Sequence, residues 1–294
     1  MYFVDSLCQL AELTTNDIRL AGAKAWNLSR MIRAGFPVPE GYVVFNFANL
    51  HEQRVRSAIF QAFDNFNVEE VAVQSSAGKE DSRERSYAGS FASFLSFHRS
   101  NLLEKITQVR ESSLGLSEEI DHELGVIIQP MIKGQVSGVC FSRNPLAAGN
   151  DILIEAVCGL AEGLVSGELT PERYEVRRMG FDIRRSVRRP DRFTNGFLLS
   201  NRDVKQLAKF TQELERLFDC AVDVEWTIRD GEVHLLQCRP ITVLGQAGPE
   251  STNRPYHYFW STTEPMWIFS HPVFYGGLST IKRAVGHPNG VISC

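Results

Sequence analysis

The densest set of chemistry-bearing residues in the chain lies in Val222-Asp-Val-Glu-Trp-Thr-Ile-Arg-Asp-Gly-Glu-Val-His-Leu-Leu-Gln-Cys-Arg-Pro240. Two strand-like runs flank Asp230-Gly231, a turn signal. A two-residue loop would project Glu225 and Gln237 from opposite faces, because side chains alternate along a strand. A three-residue loop, Arg229-Asp230-Gly231 with Gly231 left-handed, shifts the register by one. Asp223, Glu225, Gln237 and Arg239 then share one face, and Val222, Val224, Trp226, Leu236 and Cys238 share the other. That separation of polar from apolar favours the longer loop. The polar face gathers carboxylate and amide oxygens beside a guanidinium. Mg²⁺ takes hard oxygen ligands, with only one or two drawn from the protein. The planar fork of an arginine suits a phosphate. An ordinary hairpin with a polar outer face is the competing reading.

The elements around this hairpin follow from periodicity. Leu20, Ala23, Ala25, Leu28, Met31 and Ile32 recur at near-helical spacing, so a helix is predicted from Ile18 to about Ala34. Gly35 and Pro37-Val38-Pro39 end it. Gly41–Phe45 reads as a strand, His51–Phe66 as an amphipathic helix and Val71–Val73 as a short strand. A polar loop follows from Ser75 to about Gly89. Leu102–Arg110 is predicted helical, and Gly125–Gln129, Val136–Ser142 and Ile152–Ala156 are predicted strands. Leu160–Val165 is helix-like. Tyr174–Arg177 and Ile183–Arg188 suggest an exposed hairpin whose arginines form a solvated face. Arg202–Phe218 is a helix, with Leu207, Phe210, Leu214 and Leu217 on one stripe and Asp203 near its start. Strands and helices mixed in this order indicate an α+β or α/β architecture.

Composition narrows the function. The 294 residues carry a net charge of −4, which argues against a dedicated nucleic-acid binder. The six cysteines show no C-x-x-C spacing and read as small hydrophobes rather than a disulfide frame or zinc site. The first residues, Met1-Tyr2-Phe3-Val4-Asp5, lack the basic start and apolar stretch of a signal peptide. No apolar run approaches the ~18 residues that cross a bilayer. A cytoplasmic protein without a membrane partner is expected.

Several segments resemble, in order, the N-terminal nucleotide-binding module of the phosphoenolpyruvate synthase, pyruvate phosphate dikinase and rifampin phosphotransferase family. Ala21-Gly-Ala-Lys24-Ala-Trp-Asn-Leu28 is similar to G-G-K-G-x-N-L, and Gly35-Phe-Pro-Val-Pro-Glu-Gly41 to G-x-P-V-P-x-G. Gln74-Ser-Ser-Ala-Gly-Lys-Glu-Asp81 resembles R-S-S-A-x-x-E-D, with Ser86-Tyr-Ala-Gly89 as the following S-F-A-G. Ser137-Gly-Val-Cys-Phe-Ser-Arg-Asn-Pro145 resembles S-G-V-x-F-T-x-D-P. Ile154-Glu-Ala156, Gly159-Leu160, Val165–Pro171 with Tyr174, Asp223–Trp226 and Leu236–Pro240 complete a match over roughly residues 18–243. The resemblance implies an ATP-grasp fold, α+β, in which two lobes of mixed or antiparallel sheets flanked by helices close on ATP. It divides the chain into residues 1–125, with phosphate-binding loops, residues 126–244, with the adenine and metal site, and residues 245–294, a linker and aromatic tail.

The same resemblance implies roles. Lys24, at a helix start after Gly22, would meet ATP phosphates, and Arg239 would stabilise the transferring phosphate; both are the catalytic candidates. Glu225 and Gln237 would hold Mg²⁺. Gln74, Ser75 and Gly89 belong to the phosphate loop, Gln129 and Met131 to the adenine hinge, and Glu155 is a polar contact in the nucleotide cleft. ATP and Mg²⁺ are the cofactors implied. This sequence departs from the pattern at Gln74, where the family has arginine, and at Asn144 and Ser90. A neutral amide does not replace a bidentate guanidinium on phosphate; Lys79, Arg83 and Arg85 are the nearby cations. None of the seven histidines (51, 98, 122, 234, 257, 271, 287) lies in the family's T-x-G-G-x-x-x-H context. The phosphate acceptor is therefore expected to be a small molecule, or a phosphohistidine domain in trans or in a missing C-terminal part. An impaired nucleotide-binding regulatory module and a stand-alone antibiotic or metabolite kinase are the alternatives.

Overall fold

The computed structural model describes residues 6–77, 93–113, 124–144, 150–160, 171–186 and 197–241. They form two antiparallel sheets flanked by helices. The first sheet contains β1 (Leu7–Gln9), β2 (Tyr42–Val44), β3 (Val71–Ala77), β4 (Ser93–Phe97) and β5 (Leu124–Pro130), in the spatial order β1-β2-β5-β3-β4. The second contains β6 (Val136–Phe141), β7 (Ile152–Cys158), β8 (Glu172–Val176), β9 (Ile183–Ser186), β10 (Val222–Arg229) and β11 (Glu232–Pro240), ordered β11-β10-β6-β7-β8-β9. Among the described residues four α-helices accompany them: α1 (Ile18–Arg33), α2 (Gln53–Asn65), α3 (Leu102–Ser113) and α4 (Asn201–Phe218). The α+β class and the two-sheet division are those expected from the sequence.

Alternation along β3 and β5 gives the first sheet two apolar faces. On one, Val71, Val73, Val126 and Ile128 meet Val55, Ile59 and Phe63 of α2 and Leu102, Ile106 and Val109 of α3. On the other, Ile127 and Val43 meet Ala21, Ala25, Leu28 and Met31 of α1. This second cluster does not stop at the lobe: it runs on into Cys140, Ile154, Tyr174, Trp226 and the buried stripe of α4. Helix α1 is the bridge. Phe36, just beyond it, packs edge-on against Phe210 of α4 at 5.9 Å, and Arg30 lies over the Phe218 ring. Helix α4 starts at a capping box in which Ser200 Oγ accepts from the Asp203 N–H while the Asp203 carboxylate accepts from the Ser200 N–H.

One residue breaks α1. Gly22 has φ 80° and ψ 166°, a conformation essentially confined to glycine. The chain kinks there and restarts as helix directly against the β3–β5 ladder. A Cβ on Gly22 would stand 2.0 Å from the Ser76 carbonyl oxygen, and one on Gly125 would stand 2.5 Å from the Ala21 carbonyl oxygen. Ser76 and Gly125 are paired across the ladder, so two absent side chains let the helix backbone touch the sheet.

Several expectations need correction. Strand β3 runs on to Ala77 rather than yielding to a loop at Ser75, because Gln74 to Ala77 all pair with β5. Strands β1 and β4 were not foreseen; three-residue β1 is too short to show alternation. β5 belongs to the first sheet, so the lobes divide within 131–135 and not between residues 125 and 126. The expected hairpin of β8 and β9 is present, turning through Gly180 and Phe181, both with positive φ, but it is not an exposed one: β8 is interior, Tyr174 and Val176 are buried, and Arg173 is paired with Glu155. Most of the helix expected over Leu160–Val165 and all of the 245–294 tail lie outside the described residues.

Gly22→Ala should destabilise the chain by about 3 kcal/mol or more, combining backbone strain with the collision at Ser76. Gly35 also has φ 81° but nothing within 4 Å of its missing Cβ, so Gly35→Ala should cost only about 1 kcal/mol. Urea denaturation of the two variants measures the difference.

Candidate functional site

Strands β10 and β11 join through a two-residue turn. Asp230 (φ 53°) and Gly231 (φ 81°) supply the two left-handed residues such a tight turn requires. The three-residue loop inferred from the sorting of faces is therefore absent. Its effect is produced elsewhere, by a β-bulge. Trp226 pairs with Leu235 but Glu225 with Gln237, leaving Leu236 as the extra residue. Beyond the bulge, Glu225 stands opposite Gln237 and Asp223 opposite Arg239, so all four share a face. Leu236, expected in the core, leaves it for the cleft, and Leu235 takes the core place at 1% exposure.

That face is not a solvated exterior. Strand β10 is interior, with β6 along its other side, and Asp223 and Glu225 are only 6% and 8% exposed. Register carries the row further: Gln237, Glu225, Val139, Glu155 and Arg173 lie opposite one another across five strands. Arg173 Nε donates to Glu155 Oε1 at 2.7 Å, and Arg239 Nε donates to Asp223 Oδ2 at 2.9 Å. The other Asp223 oxygen, Oδ1, is buried without a hydrogen-bond partner.

A cleft separates this face from the first sheet. Ala72, Gln74 and Gln129 line it from β3 and β5, and Ser137, Glu225, Thr227 and Leu236 from the second sheet. Pro39 and the link residues Met131 and Ile132 close one end. Alternation places Ala72, Gln74 and Ser76 on the cleft side of β3. The hinge is poor in donors. Gln129 Nε2 donates to the Pro39 carbonyl at 2.8 Å, Pro130 has no N–H, and the Met131 N–H donates to the Glu70 carbonyl at 3.1 Å. The Gln129 amide thus presents its oxygen, and Gln74 Oε1 is buried without a partner. Between apolar walls, this edge suits a ligand that brings N–H donors.

Lys24 stands on α1. It is 8% exposed, in the first turn after the Gly22 kink. Asn27, three residues on and so on the same helix face, donates through Nδ2 to the Cys238 carbonyl at 3.1 Å. Cys238 lies between Gln237 and Arg239, so the Lys24 face of α1 is docked on the strand that carries both. Ser75 goes the other way. It is buried, pairs with Val126 and lies on the Val71–Val73 face of β3, away from the cleft, so its side chain does not take the expected phosphate-loop place. Glu155 stands in the row of Glu225 but is engaged by Arg173. Gly89, Lys79, Arg83 and Arg85 lie outside the described residues. Buried Cys140 and Cys238 are unbridged, and burial pushes the Cys140 thiol well above its ordinary range, as expected of cysteines serving as small hydrophobes.

Sequence reasoning assigned no role to Thr227, Ser137, Leu236 or Arg173. Ser137 and Thr227 share a hydrogen bond of 2.8 Å between hydroxyls. Strand alternation from Glu225 would have found Thr227, while Leu236 needed the bulge. As a metal site, the face offers one carboxylate and one amide oxygen facing each other, with an orphan carboxylate oxygen one pair further along. Such a set of hard oxygens fits Mg²⁺ that completes its shell from water and phosphate. Among the described residues no group of three or more His, Cys, Asp or Glu is gathered, so a closed transition-metal site is not built there.

Residues 47–258 match the family model for the pyruvate phosphate dikinase AMP/ATP-binding domain. The chain belongs to that family. Among curated relatives, an uncharacterized phosphotransferase, YvkC, of Bacillus subtilis is 27% identical over 284 aligned positions, covering 78% of this chain and 34% of that protein. A probable phosphoenolpyruvate synthase of Methanocaldococcus jannaschii is 28% identical, covering 82% and 27%. The prodigiosin synthesizing transferase PigC of Serratia marcescens is 25% identical, covering 78% and 32%. The chain thus spans about a third of the length of these relatives. Among solved structures, D-alanine–D-alanine ligase of Bacillus anthracis complexed with ATP aligns over 74% of this chain and 54% of its own, with a TM-score of 0.40 and 12% identity. The cleft between the two sheets is the candidate site of this pyruvate phosphate dikinase AMP/ATP-binding domain.

Asn27→Ala removes the buried side-chain hydrogen bond that ties α1 to β11. A loss of about 1–2 kcal/mol is expected in chemical denaturation.

Proposed function

We propose that this chain is the ATP- and Mg²⁺-dependent phosphate-donating module of a phosphoenolpyruvate synthase-type phosphotransferase. The observation that carries the reading is the bulge-set pairing of Glu225 with Gln237 in the wall of a cleft whose opposite wall carries Gln74 and Gln129. Membership of an AMP/ATP-binding family supports the nucleotide as its occupant.

The residues divide the work by chemistry. The acceptor oxygen of Gln129 faces the edge where a 6-amino group brings donors, while Ala72, Leu236 and Ile132 supply apolar contact to a base. Lys24 and Arg239 offer cations to the phosphates, and Asp223 fixes the Arg239 guanidinium from behind. Glu225 and Gln237 would hold Mg²⁺, which when bound neutralises phosphate charge and aligns the transferring group. Burial of this face keeps bulk water from these charges, so each acts at a lower effective dielectric than on the surface.

The acceptor is a histidine or a small molecule that the rest of a longer protein or a second chain provides. Phosphoenolpyruvate synthases and transferases among the relatives support that class. A second reading has one observation in its favour. Gln74, the residue standing where the resemblance places an arginine, lines the cleft with an unpartnered buried oxygen. A neutral acceptor in that place serves binding better than transfer, which describes a nucleotide-sensing module with little turnover.

ATP with Mg²⁺ should raise the melting temperature of the chain, by the equivalent of about 2.7 kcal/mol at a hundred times its dissociation constant. Glu225→Ala should erase the Mg²⁺-dependent part of that gain while leaving a smaller shift with ATP alone. Absence of any ATP-induced shift in the unaltered chain overturns both readings. ATP consumption then separates them: Gln74→Arg should raise the rate about tenfold or more if transfer is limited by the missing guanidinium. An unchanged rate in that variant removes Gln74 from the transfer step.

A further inference from the structure

We infer that Ser76 is the positioning residue for Lys24, a role that rests on the reading of Lys24 as a phosphate contact. A helix that restarts after a kink leaves its first N–H groups without partners inside the helix. The residue at the kink, Gly22, has no side chain with which to cap them. The cap arrives from another element. Ser76 Oγ, fully buried, accepts from the Ala25 N–H at 2.9 Å, fifty-one residues away in sequence.

Lys24 precedes Ala25 in that first turn, so the hydroxyl of a strand residue fixes the backbone on which Lys24 stands. A close backbone approach holds the same joint. The Ser76 carbonyl lies so close to Gly22 that any Cβ there would be 2.0 Å from it. Ser76 is also two residues beyond Gln74 on the cleft face of β3. Through this one serine, the turn carrying Lys24 is held in register with the strand that lines the nucleotide cleft. The cap is more than fold stability, because it places a cation that no described residue engages in an ion pair. Without the hydroxyl, the first turn frays and Lys24 loses its fixed distance from the phosphates.

The test is a double-mutant cycle read by calorimetric titration of the full chain with Mg²⁺–ATP and, separately, with adenosine. Ser76→Ala should weaken Mg²⁺–ATP binding roughly fivefold, the effect of losing one N-cap, and leave adenosine binding unchanged. The isosteric Ser76→Cys, with its weaker acceptor, should fall between them and guards against a packing defect in the alanine variant. Combined with Lys24→Ala, Ser76→Ala should add nothing further. Equal weakening of ATP and adenosine, or full additivity with Lys24→Ala, overturns the positioning role while leaving the reading of the site intact. Unchanged ATP binding in Lys24→Ala overturns the reading itself, and this inference with it.

Discussion

The candidate site depends on one extra residue in a β-ladder. With a two-residue turn and no bulge, Glu225 and Gln237 would point to opposite faces and no pair of hard oxygens would exist. Leu236 restores the pairing and, as the bulged residue, becomes part of the cleft wall. The cost is local: one ladder position is unmatched, and the strand twists more strongly there. The neighbouring strands limit that cost. Strand β10 is paired along most of its length with β6 as well as β11, so the bulge sits on the outer strand, where an unmatched residue disturbs the fewest hydrogen bonds.

A second constraint concerns how the walls meet. The two sheets do not have separate cores; the cluster under α1 continues beneath the second sheet to α4. The link over 131–135 is anchored at both ends. Met131 is held by the Glu70 carbonyl, the Gln135 amide donates to Asp230 Oδ1 and accepts from the Asp230 backbone N–H, both at 2.9 Å, and Gly134 leaves room for Thr227. A cleft anchored this way presents its donors and acceptors before ligand arrives, which lowers the ordering cost of binding.

Much of this was legible in the sequence, for identifiable reasons. Helices α1 and α4 declared themselves through long apolar stripes, with Gly35 and Pro37-Val38-Pro39 ending the first and Asp203 near the start of the second. The polar face of Asp223, Glu225, Gln237 and Arg239 was recovered because it must separate from Val224 and Cys238 in any workable register. Its mechanism was not recovered, because a three-residue loop and a bulge at Leu236 bring the same four polar residues to one face. Ser75 was misplaced for a related reason. Serines suggest a loop, but pairing with Val126 on a central strand overrides that propensity. Strand β5 was found yet assigned to the wrong sheet, since nothing in a buried apolar run says which neighbours it pairs with.

The balance of charge bears on the one departure that matters most. Asp223, Glu225 and Glu155 face the cleft side of the second sheet with Arg173 and Arg239, and Lys24 comes in from α1. Three carboxylates are balanced by three cations, of which Arg173 is partly exposed, and pairing of this kind is the condition under which buried charges are tolerated. Adding an arginine at position 74 would leave a cation in excess until a polyphosphate arrives; Gln74 avoids that excess and leaves an acceptor oxygen instead. On the proposed reading, a phosphate held by Lys24 and Arg239 would make the placing of those two cations decisive, with Asp223 paired to one and Ser76 capping the turn that carries the other.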